Sequence, residues 1–146
     1  MNEEGRSNPE FDVREALSRA YLLVSWGHID PALKLCERVD ESFEGGHPLP
    51  QTLAGGFLVG AGRMREGLQR LRATVRRFPA APMPHIQFAE ACFLAGRHRQ
   101  GHRAMERARG VLDEASEECR LWFDSLEAVW MSDDPPAVTS LPVGPI

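Results

Sequence analysis

Two stretches carry residue types whose spacing could support chemistry. Leu53–Gly62 reads LAGGFLVGAG, with four glycines in ten positions: Gly55, Gly56, Gly60 and Gly62. His98 and His102 stand four apart, the spacing that turns two imidazoles toward one metal from a helix face. A glycine-rich turn cradles phosphate when its backbone N–H groups converge, which would make the chain a nucleotide enzyme. The frame argues against this. A Walker-type loop requires Gly, four residues, then Gly-Lys-Ser/Thr, whereas Gly55 is followed in frame by Gly60-Ala61-Gly62, with no lysine or hydroxyl. A dinucleotide turn needs a further glycine after Gly60-Ala61-Gly62, but Arg63-Met64-Arg65 follows, and no strand pattern precedes it. The histidine pair lacks the glutamate of a zincin, since His98 is followed by Arg99 and Gln100, and the arginines around it repel a cation. Cys36, Cys92 and Cys119 are far apart and odd in number, which predicts reduced thiols in a cytoplasm rather than a disulfide framework. No nucleophile elbow and no carboxylate pair of known spacing stands out. The reading is a non-catalytic protein with no metal and no cofactor.

The remaining sequence must then explain the glycines structurally. The chain has 146 residues, 42% hydrophobic and 26% charged, an ordinary globular balance for one domain. No apolar run approaches the roughly 18 residues of a membrane span, and MNEEGRSNPE has the wrong chemistry for a secretory or transit signal. The net charge of −4 conceals a division: residues 45–112 hold 11 arginines against 3 acids, while both flanks are acidic. One lysine, Lys34, accompanies sixteen arginines, the usage of a GC-rich and hence bacterial genome. Residues 1–9 and the proline-rich 132–146 read as disordered tails. Between them, apolar residues recur at helical spacing and no strand alternation is found, so the class is all-α. Seven helices are expected, over 10–26, 30–43, 50–61, 64–78, 84–95, 98–112 and 115–131.

The breaks between them are periodic. Gly27, Gly62 and Gly96 fall 35 and 34 residues apart, each in a short turn between two apolar-periodic segments. Five residues after each glycine comes a small residue, Ala32, Gly67 or Gly101, and seven before it comes Ala20, Gly55 or Ala89. Small residues at matched positions let two helix axes approach closely while larger neighbours fill the groove. A single hairpin cannot bury its apolar face alone, so about three are needed, plus a cap. Residues 115–131 supply that cap: Ser116 stands ready to cap the helix, and Cys119, Trp122, Phe123, Leu126, Val129 and Trp130 share a stripe. Trp122 and Trp130 close the stack or form a dimer contact.

This pattern resembles the tetratricopeptide repeat (TPR), a helix–turn–helix unit of 34 residues with small residues at the helix crossing and often proline at its end. Pro79 matches that proline; Glu44 and Asp113 replace it in the other copies, and Ala16, Gln51 and His85 stand where the family has an aromatic. The resemblance covers residues 13–112. It implies a TPR-like helical-hairpin solenoid over 10–131, with repeats at about 13–47, 48–81 and 82–112 and a capping helix at 115–131.

It also implies that the first helix of each repeat lines a concave surface. By register that lining comprises Leu17, Tyr21 and Val24 from the first repeat, and Thr52, Gly56, Val59 and Gly60 from the second. The third adds Met83, Ile86, Glu90 and Phe93. Gly56 and Gly60, four apart, would form a bare floor for a ligand helix, or else pack against the next repeat. The family's cationic carboxylate clamp is missing, since Leu17, Tyr21, Thr52 and Gly56 occupy those positions. An apolar groove suits an amphipathic helix or peptide of a partner, docked through i, i+3/i+4 and i+7 anchors. Small acidic three-repeat proteins of this kind resemble the chaperones of bacterial type III secretion. The alternative is a structural scaffold whose convex face, with Arg65, Arg72, Arg76, Arg99, Arg103 and Arg107, docks an acidic partner or RNA. Three repeats and a net negative charge disfavour nucleic acid.

Overall fold

The computed structural model describes residues 11–132. The tails expected at 1–9 and beyond 132 lie outside them. Among the described residues there are seven α-helices and no strand: α1 Val13–Ser25, α2 Ile29–Ser42, α3 Leu49–Gly60, α4 Met64–Arg77, α5 Pro82–Leu94, α6 His98–Arg109 and α7 Glu117–Trp130. Each helix was legible in the periodicity. The clearest differences are at two ends. α1 begins at Val13 because Asp12 Oδ1 accepts a hydrogen bond from Glu15 N at 3.1 Å, capping it there. α6 stops at Arg109, and Leu112–Glu114 tightens into a separate 3₁₀ turn.

The helices pair in chain order as hairpins, α1–α2, α3–α4 and α5–α6. All three close on one turn. Gly27, Gly62 and Gly96 have φ of 84°, 86° and 79°, the left-handed region that glycine enters without penalty. In each turn the residue after the glycine donates to the carbonyl five residues back: His28 to Leu23 (2.7 Å), Arg63 to Leu58 (2.9 Å) and Arg97 to Cys92 (2.8 Å). Each glycine N–H donates three back, to Val24, Val59 and Phe93. This is a Schellman ending, which satisfies the last carbonyls of the first helix while reversing the chain.

The small residues do what their register predicts. Ala20, Ala32 and Ala89 are fully buried. A Cβ at Gly55 would lie 2.5 Å from Leu71 Cγ, and one at Gly101 would lie 2.6 Å from Phe93 Cε1. At Gly67 it would meet Val59 Cγ2 at 2.5 Å and the Gly55 carbonyl oxygen at 2.9 Å. Within Leu53–Gly62, Gly55 therefore serves the helix crossing and Gly62 the turn.

Each second helix also touches the first helix of the next unit, through the pairs α2·α3, α4·α5 and α6·α7. First helices meet one another through α3·α5 and α5·α7, and Tyr21 of α1 packs edge-on against Phe57 of α3 at 5.1 Å. The result is two layers, α1, α3, α5 and α7 in one and α2, α4 and α6 in the other. Polar ties hold the hairpins in register. Arg63, in the second turn, bridges Asp30 of α2 and Glu66 of α4, each at 2.8 Å, and Arg77 Nε donates to the Gly45 carbonyl at 3.0 Å. α7 is capped by Ser116, whose oxygen accepts from Cys119 N at 3.2 Å. Arg109 of α6 pairs with Glu127 of α7.

Candidate functional site

The expected inner lining splits in two. Tyr21 is 55% exposed, and Leu17, Gly56, Met83 and Glu90 are partly exposed. Val24, Thr52, Val59, Gly60, Ile86 and Phe93 are buried and belong to the core. Phe93 shows the reason most clearly. One side of its ring lies over Gly101, and Trp130 of α7 stacks on it with centroids 5.3 Å apart and planes 4° from parallel. The capping helix covers what the register alone leaves open. Thr52 turns inward to donate its hydroxyl to the Pro48 carbonyl at 2.7 Å. Gly56 is no bare floor, because the Gln87 amide lies over it, with Oε1 2.9 Å from where a Cβ would stand.

Two polar side chains, Gln87 and Glu90, are partly exposed among the apolar residues of the inner layer. At its centre Gln87 donates to Glu90 Oε1 at 3.2 Å. Burial pushes the Glu90 carboxyl above the ordinary glutamate range, against the opposing pull of Gln87 and the Trp122 indole. A raised carboxyl binds its proton more tightly folded than unfolded. Its contribution to stability is thus complete below the ordinary glutamate pKa and is lost as pH rises through the folded value. Glu90→Gln is therefore expected to stabilise the protein at neutral pH and to leave it unchanged at pH 3. Urea unfolding at both pH values checks this; equal effects at both would assign Glu90 no titration-linked cost. Gln87 was not singled out from the sequence. It sits one helical turn before Glu90, at a position that only the α3–α5 approach makes central.

Exposed large apolar side chains stand at the two ends of this layer, Leu121 and Val129 on α7 and a denser set on α1. Ala16, Ala20 and Val24 bury one face of this helix, while Tyr21, Leu22 and Trp26 are 55%, 53% and 67% exposed.

The basic surface is more organised than a solvated ridge. Arg72 and Arg76 of α4 face Arg103 and Arg107 of α6 across a cleft of about 560 Å³, whose other lining includes Phe88 and His85 of α5 and Gln100 of α6. Arg65 and Arg99 are exposed but do not line it. No carboxylate does either. Among the described residues, the ion-paired arginines are Arg19, Arg63 and Arg109, none of them in the cleft. His85 and Gln100 carried no signal of their own: an isolated histidine near a helix start and an amide amid arginines acquire a role only from the α4–α6 separation.

The other candidates for chemistry resolve into packing. His98 and His102 both lie against the Phe93 ring, at centroid distances of 6.0 and 5.6 Å. Cys36 and Cys92 are buried, and burial pushes both thiols up to about 11, so they are held as thiols rather than nucleophilic thiolates. Among the described residues no helix is long and apolar enough to cross a membrane. No family model matches the chain, and no curated protein matches it.

Proposed function

We propose that this chain is a non-catalytic protein-binding module of TPR type, which engages a helical segment of a partner along its first-helix layer. The observation that carries the reading is α1. The fold uses the face with Ala16, Ala20 and Val24, yet the helix keeps Tyr21, Leu22 and Trp26 more than half exposed. Leu22 and Trp26 lie one turn apart, the spacing at which an apolar helix face meets another. Exposed aromatics beside a packed layer are the residues that dominate protein contacts when they become desolvated. Hairpin units that close on one shared turn, with small residues at each crossing, also support the TPR resemblance. The most concrete form of this reading is a cytoplasmic bacterial chaperone or adaptor that shields a type III secretion subunit before export. It rests on the analogy with small acidic three-repeat proteins, since a fold hosts many functions.

The test is co-purification from the native host followed by quantitative binding to the recovered partner. Tyr21→Ala with Trp26→Ala is expected to weaken binding by about 10- to 100-fold while the far-UV spectrum and melting curve are retained. A partner that binds the double variant as tightly as the parent would remove the α1 surface from the interface.

A further inference from the structure

We infer that the cleft between α4 and α6 is a second binding site, separate from the α1 surface, and that it takes a small phosphorylated organic ligand. The two walls are arginine pairs at i, i+4, Arg72 and Arg76 opposite Arg103 and Arg107. Four arginines line one cleft with no carboxylate in its lining, Arg72 partly buried and Arg76, Arg103 and Arg107 exposed, and this concentrates positive charge around a concave surface. Planar guanidinium forks match phosphate oxygens in bidentate fashion. The volume, about 560 Å³, lies within the range of small-molecule sites, roughly 300–1,000 Å³. Phosphate packs two charges into that space, where the carboxylates of an extended peptide would be spread along its length.

Two buried polar atoms narrow the ligand further. His85 is 4% exposed, and its Nε2 lies 2.7 Å from the Pro79 carbonyl. A carbonyl only accepts, so Nε2 carries the hydrogen, and Nδ1 of the neutral ring is left as an acceptor. That Nδ1 has no hydrogen-bond partner, nor has Gln100 Oε1, and both residues line the cleft. Buried acceptors without donors cost free energy. Neither atom is open to a water-sized group while Gln100 holds this rotamer, so a ligand satisfies them only as the partly exposed Gln100 amide turns into the cleft. A bare phosphate offers little for that, whereas an organic phosphate that also carries hydroxyl or amino groups can pair with the turned amide while its phosphates engage the arginines. The chemical class is a sugar phosphate or a nucleotide.

The experiment is isothermal titration of the full chain, at near-physiological salt, with ADP, inorganic pyrophosphate, hexaglutamate and a single-stranded hexaribonucleotide as probes. ADP is expected to bind saturably with a stoichiometry of one, at least 10-fold more tightly than pyrophosphate. Arg76→Ala with Arg103→Ala changes exposed side chains and is expected to weaken ADP binding at least 10-fold with no loss of melting temperature. Gln100→Leu keeps the charge and is expected to abolish the preference for ADP over pyrophosphate. Tyr21→Ala with Trp26→Ala is expected to bind ADP as the parent does, which separates this site from the partner surface. Absence of saturable heat with ADP, or binding indifferent to the arginine pair, would overturn the inference. Tighter binding of hexaglutamate would reassign the cleft to an acidic protein segment, and tighter binding of the hexaribonucleotide would reassign it to RNA; either result overturns the small-ligand assignment.

Discussion

Replacing Trp130 with alanine is expected to cost about 3–5 kcal/mol of folding stability, the range for removing a buried large aromatic. Trp130 is 5% exposed at the end of α7 and stacks flat on Phe93. Phe93 in turn lies over Gly101, the crossing residue of the third hairpin, so α7 is joined through one ring to the α5–α6 crossing. The same cluster contains Phe123 and Leu126 of α7 and Met105 of α6. Loss of the indole opens a cavity at the end of the stack and strips cover from the inner layer. For a chain of this size the change corresponds to a fall in melting temperature of roughly 10 °C. Calorimetry checks it. The removal of α7 packing should also expose the Phe93 region to solvent, giving increased amide exchange in α5 and α6 but not in α1 and α2, whose core is the separate cluster around Ala20, Val24 and Leu58. A variant that melts within 2 °C of the parent would show that α7 is a loosely attached appendage.

The second large effect separates two glycines that look alike in sequence. Gly67→Ala is expected to destabilise by about 1–3 kcal/mol or more, the usual cost of overpacking. The added methyl would meet backbone on the facing helix, with the Gly55 carbonyl at 2.9 Å and Val59 N at 3.0 Å, and backbone cannot swing aside. The hairpin must widen, and Leu71 and Leu68 then lose contact with α3 and α5. Gly56→Ala meets only the amide end of Gln87, which can rotate away. Relief of the glycine penalty inside a helix, up to about 1 kcal/mol, then makes this change neutral or stabilising. Denaturant unfolding of the two variants side by side is the measurement. Equal destabilisation would mean that Gly56 is held by something other than Gln87, and that the inner layer tolerates no added atom there.

These two results bear on how the surface can be used. The α3–α4 crossing is tight at Gly55 and Gly67, whereas the α3–α5 approach is adjustable at Gly56 and Gln87. Rotation of the Gln87 amide would uncover Glu90, whose carboxyl is already penalised by burial.

Local information was enough to read the hairpins, and the reason is that their determinants are local. The turn requires a left-handed residue, which glycine supplies at Gly27, Gly62 and Gly96, and the crossing requires small residues at fixed distances from that turn. Both rules operate within one unit of about 34 residues, so they appear in the linear order as period and residue size. Amphipathic periodicity likewise places each helix within a few residues of where it is found. Surface assignment was different. Val24, Ile86 and Phe93 share a register with Tyr21 and Glu90, and nothing in their types tells core from groove.

What the amino-acid order determined by itself was the helical class, the hairpin turns, the crossing residues and the concentration of arginine in the central segment. Tertiary structure alone decided which side chains face solvent and which charges converge. Burial and cleft formation depend on the distance between elements far apart in sequence: α7 folding back over Phe93, Gln87 reaching across to Gly56, and the gap between α4 and α6 that gathers Arg72, Arg76, Arg103 and Arg107 around His85. Such distances are set by the sum of all helix contacts, and no single segment encodes them.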